Sequence, residues 1–324
     1  MNYLGKWALR LALAAMAASG WHALPAAAAD QVRAAKASNV AWSFIELDVG
    51  VAEGIFAKQG IELEISALGG DAKLQQALAA GSIDFALGSG PSMAFAAKGA
   101  PAKAVAAFAG APRNISVIVA ADSSIKSVAD LKGKLLAVTT AGSLTDWLAH
   151  RMAITEGWGL DGIKTVALGT FDASTSALVT HQIDGNMGAT EAGYLLEEKG
   201  VGRVLVGMEK YAPHFITHVV FARNDLIASN PDLVGRFLKG FFGSIAFMKA
   251  NRDKTIEIAE KVLGQSPAVA GKTYDYEISM LETDGHFDPD AVAVLKDSFV
   301  DMHILDTKPG DDQLFTTKFL PVKP

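Results

Sequence analysis

The sequence predicts a two-lobed α/β protein whose chain crosses between the lobes twice and leaves a ligand cleft between them. Three observations carry this expectation. Short apolar runs alternate with helical stretches that end at glycine from about residue 39 to residue 206, the pattern of a mainly parallel sheet covered by helices. The segment LQQALAAGSIDFALGSG at 74–90 is echoed one hundred positions later by STSALVTHQIDGNMGAT at 174–190, with Ala77/Ala177, Leu78/Leu178, Ile83/Ile183, Asp84/Asp184 and Gly88/Gly188 in register. Two stretches rich in β-branched residues, 115–120 and 216–222, lie at the joins.

The elements follow in order. Residues 39–44 read as a short apolar strand. Residues 48–59 read as a helix with Val49, Ala52, Ile55 and Phe56 on one face, stopped by Gly60. Residues 61–67 alternate apolar and polar as a strand does. Asp71 is placed to cap a helix reaching residue 80. Strands at 83–88 and 102–108 flank a short helix at 92–98. The pattern then restarts with a turn at 127–131, a strand at 135–139 and a helix at 144–156. A strand at 163–168, a helix at 172–180, a strand at 183–187, a helix at 191–199 and a strand at 204–206 complete the second lobe. After residue 222 the chain is helical. Asn230 caps a helix with Pro231 at its first position, and its Phe237, Phe241 and Phe242 read as core packing. Further helices begin near Arg252, Pro267 and Pro289. The expected division is residues 30–117 plus 220–324 in lobe one and 118–219 in lobe two.

The ends and the composition bound the setting. Lys6 and Arg10, a short apolar run at 11–18, Pro25 and Ala27-Ala28-Ala29 form a secretory signal peptide, with cleavage expected after Ala29. The run is too short to span a bilayer. The 295 residues that follow exceed one usual core, in keeping with two lobes. The chain has no cysteine, which excludes disulfides, thiolate metal sites, a cysteine nucleophile and a lipidated cysteine anchor. A free periplasmic protein acting as a monomer is the expectation. The net charge is −6, or −8 once Lys6 and Arg10 leave with the signal segment. A mildly acidic chain with scattered charge does not suit nucleic acid or an anionic membrane.

Loops that run from strand to helix and face the cleft supply the candidate ligand contacts. Trp42-Ser43-Phe44 offers an aromatic ring for stacking on a flat or apolar ligand. Ser89, Gly90 and Ser92 combine close backbone approach with a helix start suited to an anion. This stretch is not a dinucleotide fingerprint, because Met93 stands where a third glycine is needed, and it does not match Gly-x-Ser-x-Gly. Arg113, beside Asn114 at the first crossing, can grip a carboxylate, sulfonate or phosphate with two parallel bonds. Thr140, Gly142, Ser143, Leu144 and Thr145 place hydroxyls and free amides at a helix start. Asn186, Thr190 and Glu191 stand where the first copy of the echo has Ala86, Gly90 and Pro91, and this replacement of apolar groups by polar ones marks a site. Glu191 would favour a cationic ligand and Arg113 an anionic one; a zwitterion satisfies both. His214 and His218 are four apart in a region that reads as a loop entering a strand, too far apart there for a compact metal pair, so no metal is expected. Asp84 and Asp184, just before apolar strands, read as turn and capping residues rather than as a catalytic pair.

Several segments carry a family likeness. They are Val51 to Ile61 (VAEGIFAKQGI), the Ala-Leu-x-x-Gly-x-Ile-Asp segment at 77–84, Ser127 to Lys134 (SVADLKGK), and the second Ala-Leu…Ile-Asp at 177–184. In order and spacing they resemble the periplasmic solute-binding proteins of ABC importers, in the branch that handles nitrate, taurine, aliphatic sulfonates and thiamine-pyrimidine precursors. The likeness covers most of residues 40–250. It implies a type II periplasmic binding protein fold, a ligand-carrying shuttle without cofactor or catalysis, a small-molecule ligand, and an ABC permease in the inner membrane as partner. It does not identify the ligand, because these motifs build the lobes rather than the pocket. Two alternatives stand beside it. One is an enzyme on the same fold, such as a pyrimidine-precursor synthase, although the cysteine-rich stretch of those enzymes has no counterpart here. The other is a periplasmic ligand-binding protein that serves a membrane sensor.

Overall fold

A computed structural model of the chain describes residues 29–141 and 143–324. The segment expected to be a signal peptide lies outside the described residues except for Ala29. Two five-stranded sheets, each with helices packed against it, form the two lobes. Lobe one opens with β1 (Asp30–Lys36), followed by α1 (Glu46–Ala52), α2 (Ile55–Lys58), β2 (Ile61–Ala67), α3 (Asp71–Ala79), β3 (Phe85–Ser89), α4 (Ala94–Ala97) and β4 (Ala102–Ala109). Lobe two holds β5 (Ile115–Ala120), β6 (Leu135–Val138), α5 (Leu144–Thr155), β7 (Lys164–Ala167), α6 (Phe171–Val179), β8 (Gly185–Ala189), α7 (Thr190–Glu198) and β9 (Gly202–Gly207). The chain returns to lobe one with β10 (His218–Arg223) and continues through α8 (Asn224–Ser229), α9 (Pro231–Ala250), α10 (Arg252–Leu263), α11 (Pro267–Glu277), α12 (Pro289–Asp301) and α13 (Asp311–Leu314).

The two sheets share one plan. Their strand orders are β2-β1-β3-β10-β4 and β7-β6-β8-β5-β9. In each, three neighbouring strands run parallel, and the fourth position is the antiparallel strand delivered from the other lobe. The chain therefore changes sheet at 110–114 and at 208–217. Sheet membership puts Ile115–Val117 in lobe two and His218–Val219 in lobe one, a few residues from the expected boundaries at 117/118 and 219/220.

The hundred-residue echo has a physical basis in this plan. Helices α3 and α6 start at Asp71 and Phe171, strands β3 and β8 at Phe85 and Gly185, and β4 and β9 at Ala102 and Gly202. Asp84 donates its N–H to Arg33 O (2.8 Å) while its carboxylate accepts the Arg33 N–H (2.9 Å). Asp184 does the same with Leu135, at 2.9 Å each way. Each aspartate pins the start of its strand to the neighbouring strand, rather than closing the turn before it.

Other local expectations are revised. Residues 39–44 form no strand: Trp42–Phe44 is a single 3-10 turn, and the apolar character of that run serves burial. The strand is Asp30–Lys36, which pairs with β2 along its whole length. The helix read at 48–59 is two helices, broken where Gly54 adopts a left-handed φ of 64°. Asp71 does not cap α3; it sits in the first turn and its carboxylate takes hydrogen bonds from Ser89 instead. Asn230 caps α9 through Leu233 N at 3.2 Å, and the aromatic face of α9 fills the lobe-one core, with Phe237 stacked on Phe85 at 3.8 Å. A continuous apolar cluster runs from β3 and β4 through Phe215 and Ile216 of the second crossing to Trp147 and Met187 in lobe two.

Candidate functional site

The C-terminal ends of the parallel strands in both sheets face one another, and the loops that leave them line an interlobe cleft. Parallel strands impose this arrangement, because every strand-to-helix loop then emerges at the same edge. The cleft has two halves that share Thr139 and Gly169. The larger half, about 840 Å³, is lined in lobe one by Ser38, Gly69 to Lys73, Ser89, Pro91, Ser92, Phe95 and Lys98. Lobe two contributes Thr139, Thr140, Ser143, Leu144 and Thr145. The smaller half, about 460 Å³, is lined by Val40, Val138, Gly169 to Asp172, Asn186 to Ala189, Glu191, Leu195 and the loop Leu263 to Gln265.

The hydroxyl group at the start of α5 is internally tied. Thr139, Ser143 and Thr145 form a triangle of hydroxyl contacts at 2.9 Å each. Thr145 Oγ1 also accepts the Thr139 N–H at 3.0 Å, and Ser143 Oγ caps the helix by accepting Asp146 N–H at 3.4 Å. The three hydroxyls thus hold the loop in shape as well as facing the cleft. Gly142, expected among them, lies outside the described residues. Across the cleft, Ser89 donates its N–H (3.0 Å) and its hydroxyl (2.6 Å) to the Asp71 carboxylate, and Ser92 Oγ donates to Ser89 O at 2.6 Å. Burial raises the Asp71 carboxyl above its usual range despite the Ser89 bonds.

Seven expected contacts do not line the cleft. Trp42 and Phe44 are buried in protein: Trp42 meets Tyr274 edge-on at 6.0 Å, and Phe44 packs on His218 at 4.5 Å. Ser43 and Asn114 form a buried knot with His218, whose Nε2 lies 3.1 Å from Ser43 Oγ and 2.9 Å from Asn114 Nδ2. Burial between Phe44 and Phe108 pushes the His218 pKa down to about 3, so the ring is neutral. Nε2 accepts from Asn114 and the proton is assigned to Nδ1. Arg113 turns its guanidinium over the Tyr276 ring at 5.4 Å. Thr190 is fully buried and stitches α7 to the first crossing, through Arg113 O (2.8 Å), Asn114 O (3.0 Å) and Ser116 Oγ (2.6 Å). Gly90 brings the backbone close, but to Ile216 of the second crossing rather than to a ligand. Trp42 and Phe44 belong to the core, and the others tie the two crossings to their surroundings. They looked like a site because polar groups near a crossing look alike whether they bind solute or tie backbone.

Behind the smaller half stands a buried acidic group. Glu191 Oε1 accepts the Trp42 N–H at 3.3 Å, the bond that joins the lobes here. Glu277 on α11 faces Glu191, and Glu46 on α1 lies near enough to act on Glu277. Burial pushes Glu191 up to about 7, and burial together with the Glu191 charge pushes Glu277 well above the carboxylate range. Glu46 is raised well above that range too, chiefly by burial. Lys36, beside Glu46, is committed to Asp48 at 2.6 Å.

Sequence reasoning missed Gly69-Gly70, Thr139, Gly169-Thr170-Phe171 and Lys98. The echo itself could have found some of them. Extended six residues upstream, it aligns Leu68-Gly69 with Leu168-Gly169, the two loops that face each other across the cleft. Among the described residues no three His, Asp or Glu side chains are placed to hold a metal ion, and no helix is long and apolar enough to cross a membrane.

Comparison with known proteins places this geometry. A protein of Brucella abortus named as a binding protein is 28% identical over 215 residues, spanning 65% of this chain and 65% of that protein's length. The periplasmic aliphatic sulphonate binding protein SsuA of Escherichia coli superposes with a TM-score of 0.75 at 19% identity, covering 88% of this chain and 92% of that one. The desulfurization enzyme DSZB, in complex with biphenyl-2-sulfinic acid, superposes at 0.67 with 15% identity, covering 90% and 97%. The fold is thus the two-lobed periplasmic binding protein fold, and it hosts an enzyme as well as binding proteins. The structure compared for that enzyme carries a cysteine-to-serine mutation, whereas this chain has no cysteine. The family model for NMT1/THI5-like proteins matches residues 42–255, two thirds of the sequence and the whole of the second lobe, and the chain belongs to the NMT1/THI5-like family.

Proposed function

We propose that the protein is the solute-binding component of an ABC importer. It works in the periplasm, takes a small organic solute into the interlobe cleft, and closes its lobes over it without chemistry. A membrane permease then reads the closed form. The observation that carries this reading is the apolar surface left open in the cleft. Val40 is 59% exposed, and Phe95 and Phe171 are each 37% exposed, and all three line the cleft. They come from both lobes. A solute with an apolar body covers them, and each 100 Å² so covered contributes about 2.5 kcal/mol. A bare inorganic anion such as nitrate covers almost none. Lys73 and Lys98 on the larger half, with the starts of α3 and α5, favour an anionic head group such as a sulfonate or carboxylate.

The test is direct. Protein purified without added solute is denatured and its extract examined by mass spectrometry. In parallel, melting curves are recorded against alkanesulfonates, alkanoates, amino acids, pyrimidines and inorganic anions. A stabilising organic solute whose affinity drops about tenfold in Phe171→Ser supports the reading. Stabilisation by inorganic anions alone, or by no solute in the panel, refutes it.

A further inference from the structure

We propose that Glu191 is the specificity residue of the smaller cavity half and selects a solute carrying a protonated nitrogen. This deepens the reading of the cleft as a solute site and rests on it. Glu191 lines the 460 Å³ half and is 5% exposed. One of its oxygens accepts the Trp42 N–H, and the carboxylate also takes a side-chain hydrogen bond from the Glu277 carboxyl. Glu277 and Glu46 are held well above the carboxylate range and keep their protons, so Glu277 donates to Glu191 and Glu191 is the carboxyl of the three that carries the charge. A carboxylate fixed on the wall of a cavity forms its strongest hydrogen bonds with a cationic donor. Lys36, which acts on Glu46, is taken by Asp48. Among the described residues the carboxyl groups are not arranged as a metal-ligand set, and a protonated nitrogen is the cationic donor we assign. The walls around Glu191 are apolar, with Val138, Phe171, Met187 and Leu195, and a charge pair is stronger in such surroundings. The larger half, with its two lysines, suits the opposite charge, so the solute is dipolar with its nitrogen at the Glu191 end.

The pH response follows from what faces Glu191. Glu277 stands on α11, Glu46 behind it on α1 with Lys36 and Asp48 beside it, and Tyr194 on the same helix as Glu191. With Glu191 titrating at about 7, a proton and the ligand nitrogen compete for the same carboxylate. Affinity for an aminated solute therefore falls about tenfold per pH unit below 7, while an alkylammonium group stays charged throughout.

The experiment uses the mature chain and matched probes of three to six carbons: ω-amino acids and n-alkylammonium salts against alkanoates and n-alkanols of equal length. Calorimetry at pH 8 and pH 5 gives the affinities. The expected result is at least tenfold tighter binding of the aminated member at pH 8, an advantage lost by pH 5. Glu191→Gln, which keeps an acceptor for the Trp42 N–H, erases the advantage of the aminated over the non-aminated member at pH 8. Glu191→Asp keeps part of the advantage together with its pH dependence, a readout that a merely structural role would not give. Equal binding of both series, or discrimination retained in Glu191→Gln, overturns the nitrogen assignment. So does failure of every aminated probe while another organic solute from the wider panel binds; that result leaves the cleft reading standing. Failure of every solute in both panels overturns the cleft reading itself.

Discussion

Replacing Gly90 by alanine tests the hinge. Gly90 follows β3 and donates its N–H to Thr217 O at 2.9 Å. A Cβ on Gly90 would stand 1.9 Å from Ile216 O and 3.0 Å from Ile216 C. Both obstacles are backbone, so no rotamer relieves them. Reaching even a tight 3.0 Å contact requires the two segments to part by about 1.1 Å. Ile216-Thr217 has no slack to give, because Thr217 is tied on its other side to the end of β4, through Ala109 O at 2.9 Å, and to the first crossing through a hydroxyl bond to Gly110 O. Overpacking of this kind costs about 1–3 kcal/mol, and the lost Gly90–Thr217 bond about 1 kcal/mol more. A total of about 3 kcal/mol lowers the melting temperature of a chain this size by roughly 5 °C. Scanning fluorimetry and urea unfolding of the protein from Asp30 onward measure it. A Gly90→Ala protein melting within about 2 °C of wild type would refute the claim that this glycine is required by the second crossing.

Gly235→Ala is the contrasting change: a Cβ there meets nothing within 4 Å on helix α9, so urea unfolding should show a gain of about 0.5–1 kcal/mol. Thr145→Val keeps shape but removes the acceptor of the Thr139 N–H; a loss of about 1–3 kcal/mol is expected, and denaturant midpoints report it. His218 is held neutral with its pKa lowered to about 3, so its contribution is fully present above the unfolded value near 6.5 and is lost as pH falls toward 3. Between pH 7 and pH 5 the stability difference between wild type and His218→Gln should shrink by about 2 kcal/mol; a difference that stays constant over that range would show that the ring charges freely in the folded protein.

Much of the fold was legible because its signals are local. Alternation, glycine stops, Asn230-Pro231, and the starts at Arg252, Pro267 and Pro289 report short-range rules of backbone geometry and capping. The echo at an offset of one hundred disclosed two lobes of one design. The run at 39–44 misled because an apolar stretch looks the same whether it pairs as a strand or packs as a buried turn. Ser89, Ser92, Thr140, Ser143, Leu144, Thr145, Asn186 and Glu191 were chosen from their place after strands, and they line the cleft. Trp42, Phe44, Arg113, Asn114 and Thr190 were chosen by the same chemistry and are spent on the core and the hinge.

The sequence by itself determined the two lobes, their shared plan and the strand ends that face each other, since these follow from periodicity, repetition and the geometry of parallel strands. Which polar groups bind one another and which face open space was decided only in three dimensions. That Glu191 meets Trp42, 149 residues away, and Glu277 at one buried junction depends on how the returning chain packs α11 against α7, and no spacing within either segment encodes it.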